Sequence, residues 1–146
     1  MVHVDERKRK VLIVTGISAF LYCLHFLCIS LSPISQIGEN TSQFGNGSFF
    51  YTLVIVLIAY ALPLIGYYND LYIAKYIMAF LNGFGIFVAL SIIMALMIFS
   101  VFADPNINQL SWIMLILAIV LGVGVVIINI VWYYIMFKKE DIQKAI

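Results

Sequence analysis

Four apolar runs, each long enough to cross a bilayer, constrain this chain more than anything else in it. They extend from Val11 to about Leu31, from Phe49 to about Tyr68, from about Leu71 to Phe102, and from about Leu110 to Phe137. A spanning helix needs about 20 apolar residues, because the hydrocarbon core is about 30 Å thick and a helix rises 1.5 Å per residue. In lipid every backbone N–H and C=O must be paired within the protein, so continuous runs of this kind read as helices. A barrel would show many short alternating segments instead. The expected fold class is therefore all-α: an integral membrane four-helix bundle, a single four-span domain over residues 1–146.

Charge supports the same reading. Only 10% of the residues are charged and 64% are hydrophobic, against about a quarter charged in a soluble domain. So few charges cannot cover a water-facing surface. A net charge of +1, with no basic face away from the span ends, sets nucleic acid aside as a partner. Two cysteines are too few for a disulfide-built secreted module.

Orientation follows from the positions of the cations. Arg7, Lys8, Arg9 and Lys10 precede the first run, Lys75 opens the third, and Lys138, Lys139 and Lys144 follow the fourth; these are all 8 Lys and Arg residues. The other two loops carry only Glu39 and Asp104 as charges. Both termini are expected in the cytoplasm, in a multi-pass protein of the plasma membrane or an endomembrane. The first run is longer than the apolar region of a secretory signal, so it is expected to remain as a span. The third and fourth runs exceed a perpendicular span; they should tilt, or project beyond the bilayer around the turn Asp104-Pro105-Asn106.

The polar stretch Ser32–Ser48 is expected outside. It holds two N-glycosylation acceptor patterns, at Asn40 and Asn46, which in a eukaryotic surface or endomembrane protein would carry sugar. Cys23 and Cys28 have no metal-ligand companions and read as buried small apolar residues. His25 is the one histidine within a span. With no other deep ionisable group to exchange protons with, it reads as a neutral ring bonded to a neighbouring hydroxyl.

Lipid provides no hydrophobic drive for helix pairing, so small residues and side-chain hydrogen bonds mark the contacts. Each run has such a row at spacings of mostly three and four. The first has Thr15, Ser18, Tyr22 and His25. The second has Thr52, Val56, Ala59, Pro63 and Gly66. The third has Lys75, Ala79, Asn82 and Ala89, flanked by Gly83 and Gly85. The fourth has Ala118, Gly122, Val125 and Asn129, with Trp132 below. Pro63 removes a helix hydrogen bond and predicts a kink. Asn82 and Asn129 lie at similar depth from the inner face, so the two amides are expected to bond directly, through one water, or to a shared polar partner.

No nucleophile–base pair, carboxylate dyad, phosphate loop or metal-ligand set can be assembled, and no cofactor is expected. The stretch Leu62-Pro-Leu-Ile-Gly-Tyr-Tyr-Asn-Asp-Leu-Tyr72, with the four-span layout, resembles the inner turn of lysosome-associated four-span and MARVEL-like proteins. The tetraspanin cysteine-glycine motif and the claudin Gly-Leu-Trp pattern are absent. The functional expectation is a non-enzymatic accessory or scaffolding subunit of a larger membrane complex. Its partners would be the lipid bilayer and either another membrane protein or further copies of itself. The alternative is a small oligomeric channel or transporter with His25, Asn82 or Asn129 along its path.

The charge argument predicts that a Gln36→Cys variant is labelled by an impermeant thiol reagent on intact cells and that a Gln143→Cys variant is not. The reverse pattern would overturn the assigned orientation.

Overall fold

The apolar runs form four helices in a computed structural model that describes residues 6–36, 43–102 and 108–138. Helix α1 spans Glu6–Leu31, α2 Gly47–Tyr68, α3 Tyr72–Phe102 and α4 Gln109–Phe137, with a short 3₁₀ turn at Pro33–Gln36 after α1. No strand occurs among the described residues. All four helices are long and apolar enough to cross a membrane. Helix α1 begins before the first apolar residue and takes Arg7–Lys10 into its opening turns. The turn Asp104-Pro105-Asn106 lies outside the described residues, as do Asn40 and the residues from 139 onward.

The α2–α3 connection shows how local sequence sets a helix end. Asp70 adopts φ 61°, a left-handed conformation that Asp and Asn accept more readily than other side chains. Its N–H bonds the carbonyl of Tyr67, and that of Leu71 bonds the carbonyl of Gly66 at 3.0 Å. This pair of bonds is a Schellman closure, which satisfies carbonyls the helix would otherwise leave open. The chain therefore reverses within three residues. At the same end Arg7 donates to the carbonyls of Met136 and Lys138, capping the C-terminus of α4. A cation placed there also complements the helix dipole. Lys8 pairs with Asp70, so this end of the bundle is tied across three of its segments.

At the opposite end the chain leaves α1 through a run of serines. Ser30, Ser32 and Ser35 each donate to a carbonyl three residues back, so their hydroxyls can be buried without cost. Ile34 then packs over a core of Cys28, Leu96, Leu115 and Ala118. Phe49 of α2 stacks on Phe26 of α1, with ring centroids 5.4 Å apart. A second core, Val11, Met78, Trp132 and Met136, lies near the basic end.

The rows of small and polar residues are not used equally. In α1, Thr15, Ser18 and His25 are buried; in α4, Ala118, Gly122, Val125, Asn129 and Trp132 all are. In α3 the buried positions include Asn82, Gly85 and Ala89, whereas Lys75, Ala79 and Gly83 are partly covered. In α2 only Phe49 and Pro63 are buried, while Thr52, Val56, Ala59 and Gly66 of its row are partly covered. Helix α2 packs against α1 and α3 and turns most of its surface outward. The helix continues through Pro63, although proline cannot return the hydrogen bond that the carbonyl of Ala59 would normally receive.

At Gly122 side chains of α1 and α3 press against the backbone of α4. A Cβ there would meet His25 Cε1 at 2.9 Å and Ile93 Cγ1 at 3.0 Å. Gly122→Ala is expected to destabilise the bundle by about 1–3 kcal/mol, the usual range for overpacking. The measurement is the thermal midpoint in mild detergent; an unchanged midpoint would show that His25 and Ile93 move aside freely.

Candidate functional site

Helices α1 and α4 run antiparallel, and their polar residues meet as rungs. Trp132 Nε1 donates to Thr15 Oγ1 at 2.9 Å, while Thr15 in turn donates to the carbonyl of Val11 at 2.7 Å. One turn further in, Ser18 Oγ donates to Asn129 Oδ1 at 2.5 Å. Further still, His25 Nδ1 bonds the carbonyl of Ala118 at 2.8 Å. A carbonyl only accepts, so the ring proton sits on Nδ1. The histidine partner is thus a backbone carbonyl and not the hydroxyl expected from sequence. Gly122 makes this possible: a side chain there would collide with the ring, and without one the ring reaches the α4 backbone.

The middle rung is where all four helices contribute. Tyr60 of α2 lies 3.2 Å from Ser18 Oγ. Ser18 has one hydroxyl proton and gives it to Asn129, so Tyr60 is the donor in this pair. Tyr22 of α1 reaches the carbonyl of Gly85 in α3 at 3.4 Å. Gly85 closes the centre from the α3 side: a Cβ on it would lie 3.5 Å from the Tyr22 ring and 3.6 Å from Asn129 Nδ2. Gly83 acts in a similar way on a neighbouring face of α3. Its missing side chain leaves room for the Tyr133 hydroxyl, which donates to the carbonyl of Ala79.

Asn82 and Asn129 are both buried, at 2% and 0% exposure, so neither amide faces acyl chains. No direct hydrogen bond joins them among the described residues; Asn129 turns to Ser18 instead. Asn82 Oδ1 and Asn129 Nδ2 are left without a partner among the described residues, one an acceptor and the other a donor. Asn82 lines a cavity of about 10 Å³ with Thr15, Ala59, Tyr60, Met78 and Leu81. That is the space of about one water molecule. His25 Nε2 is likewise buried without a partner among the described residues.

This centre belongs to a recognisable kind of chain. Residues 2–141 match the profile of a family of unknown function, DUF5391. The chain belongs to that family. It is also similar to the uncharacterized protein YxaJ of Bacillus subtilis (strain 168), being 32% identical over 134 residues that cover 92% of each chain. No solved structure matches the chain. The family shown is DUF5391, and neither of the four-span families that the inner turn resembles is shown.

Sequence reasoning places Thr15, Ser18 and His25 on the contact row of the first run and Ala118, Gly122 and Asn129 on that of the fourth, and the structure brings all six into the α1–α4 contact. It passes over Tyr60. The available signal is a lone phenol in the middle of an otherwise apolar run. Asn46 is the N-cap residue of α2, extended at φ −81° and ψ 152° and making no side-chain cap bond.

The Ser18–Asn129 bond is testable by a double-mutant cycle with Ser18→Ala and Asn129→Leu. Interhelical bonds in lipid contribute roughly 0.6–2 kcal/mol, and a coupling of that size is expected in unfolding measured in detergent. Strictly additive losses would remove this rung from the account.

Proposed function

We propose that this DUF5391 protein is a non-enzymatic four-span membrane protein with both termini cytoplasmic, acting as an accessory or scaffolding subunit of a larger membrane complex. One observation carries the reading: the polar side chains of the spans are turned inward, where they join helix to helix. Thr15, Ser18, His25 and Asn129 are all at 2% exposure or less, and each holds α1 to α4. What the bundle presents outward is apolar surface. The positions of Arg7–Lys10, Lys75 and Lys138 at one end support the cytoplasmic orientation.

Helix α3 offers the most distinctive outward face. Phe80, Phe84 and Phe87 stand at helical spacing and are 74%, 58% and 67% exposed. Large rigid rings give extensive van der Waals contact, which is what pairs helices in lipid. This ridge is the candidate face for a partner helix.

A small oligomeric channel is the second reading. It needs several polar groups along a wet axis. Burial of His25, Asn82 and Asn129 inside a single bundle weighs against their lining a path between subunits. Glycosylation at Asn40 or Asn46 presupposes a eukaryotic source, and the relative described above is bacterial; the proposal does not include it.

Purification from native membranes in mild detergent is expected to recover a stoichiometric membrane-protein partner. Truncating an interface aromatic that anchors binding costs about 2 kcal/mol or more, roughly thirtyfold in affinity. The combined variant Phe80→Ala and Phe84→Ala should therefore lose the partner while keeping its own thermal midpoint. A homo-oligomeric ring that passes ions across liposomes would overturn the accessory reading.

A further inference from the structure

Two recesses meet at Leu71, and together they have the shape and chemistry of a phospholipid. The first is an apolar groove of about 420 Å³ between α2 and α3. Its α2 side includes Ala59, Pro63 and Gly66, small or compact residues that keep the groove deep. Leu62, Ile73 and Ile77 line it as exposed side chains. Gly66 also sets how closely the helices approach, since a Cβ on it would lie 3.2 Å from Ala74 Cβ. The second recess, of about 230 Å³, sits at the basic end and is lined by Arg7, Lys8, Tyr67, Asp70, Tyr72 and Lys75, besides Leu71.

Dimensions and charge point to one occupant. Ile58, the deepest α2 residue of the groove, is ten residues from the end of α2, and Leu81 is nine from the start of α3. At 1.5 Å per residue the groove runs about 14–15 Å inward. That is half the hydrocarbon thickness, the depth one acyl chain occupies in its leaflet. The polar recess at its mouth holds three cations and one carboxylate, a formal excess of positive charge at headgroup level. Lys8 is paired with Asp70, and Arg7 is engaged with the end of α4. Lys75 lies over the Phe137 ring, 4.6 Å from its centroid. A cation–π contact steadies an ammonium without cancelling its charge.

We infer that the α2–α3 groove and the recess at its mouth form a single site for an anionic phospholipid of the inner leaflet. One acyl chain lies against Pro63, Gly66 and Ala74, and the phosphate lies beside Lys75. Basic pockets between spanning helices on the cytoplasmic side are suited to anionic headgroups. None of Phe80, Phe84 and Phe87 lines the site, and the inference does not need the accessory role; its leaflet rests on the orientation proposed above.

The test uses the full chain in mild non-ionic detergent, with bound lipid counted by native mass spectrometry. Palmitoyl-oleoyl phosphatidylglycerol is expected to be retained roughly tenfold or more over palmitoyl-oleoyl phosphatidylcholine. Lys75→Gln should lower that preference about fivefold, the effect of one basic residue near a membrane surface. Asp70→Asn should raise it, and asparagine tolerates the same left-handed backbone, so this variant keeps the turn. Leu62→Trp should weaken retention of both lipids by filling the groove. Equal retention of the two lipids by the unaltered protein would overturn the site. So would displacement of phosphatidylglycerol by an equal concentration of inorganic phosphate, which would mark an anion site with no role for the chain. Loss of the opposed response to Lys75→Gln and Asp70→Asn would also defeat it.

Discussion

The contact between the first and last helices holds the structure together. In water a bundle is driven closed by apolar burial, but between helices in lipid that drive is nearly absent. What remains is close packing and the high cost of leaving a polar group unpaired in hydrocarbon. Thr15, Ser18 and His25 on α1 each face that cost, as do Trp132 and Asn129 on α4. Each places one polar atom in a bond to the other helix, while His25 Nε2 and Asn129 Nδ2 have no partner among the described residues. The rungs repeat at helical spacing in opposite senses along the two chains, so a shift of register would break several bonds at once. A ladder of this kind specifies an alignment more sharply than apolar packing could.

The second helix is held differently. It contributes the Tyr60 hydroxyl to the middle rung and the stacked Phe49 at its N-terminal end, but few buried residues of its own. In its C-terminal half, Pro63 removes a helix bond, and Ala59 and Gly66 keep the surface low. The same small residues that suggest a packing seam therefore make a recess. Spacing alone cannot separate the two outcomes. Whether a small-residue row is filled by a neighbouring helix or left open depends on which helix stands opposite and how closely it approaches; for α2 that helix is α3, joined to it by the short turn at Asp70.

This explains what can be read from the sequence and what cannot. The four helices are legible because hydrocarbon thickness and backbone pairing leave few alternatives for runs of this length. The α1 and α4 rows are legible because polar residues at three- and four-residue spacing in an apolar run have to meet something. Partner identities are less accessible. The sequence suggests a hydroxyl for His25, yet the ring bonds the Ala118 carbonyl, because an absent side chain at Gly122 exposes backbone. Depth suggests that Asn82 and Asn129 bond directly, through one water or to a shared partner; the direct bond is not made, and Asn129 Oδ1 accepts from Ser18, because equal depth on adjacent helices does not determine which neighbour an amide faces. The pairing of Lys8 with Asp70 and the capping of α4 by Arg7 join residues far apart in sequence, with no periodicity to announce them.

The two halves of the bundle thus divide the chemistry between them. Along α1 and α4, polar groups are consumed internally and the structure gains a fixed register. Around the α2–α3 turn, charges gather at one end of the bundle and the apolar wall beside them is recessed. Asp70 connects the two arrangements. Its left-handed backbone closes α2 and sets the start of α3, and its carboxylate holds Lys8 of α1 beside the turn. The turn that gives α2 and α3 their antiparallel course therefore also positions cations at the mouth of the groove between them. A change in the turn would alter helix packing and surface charge together, because one short segment determines both.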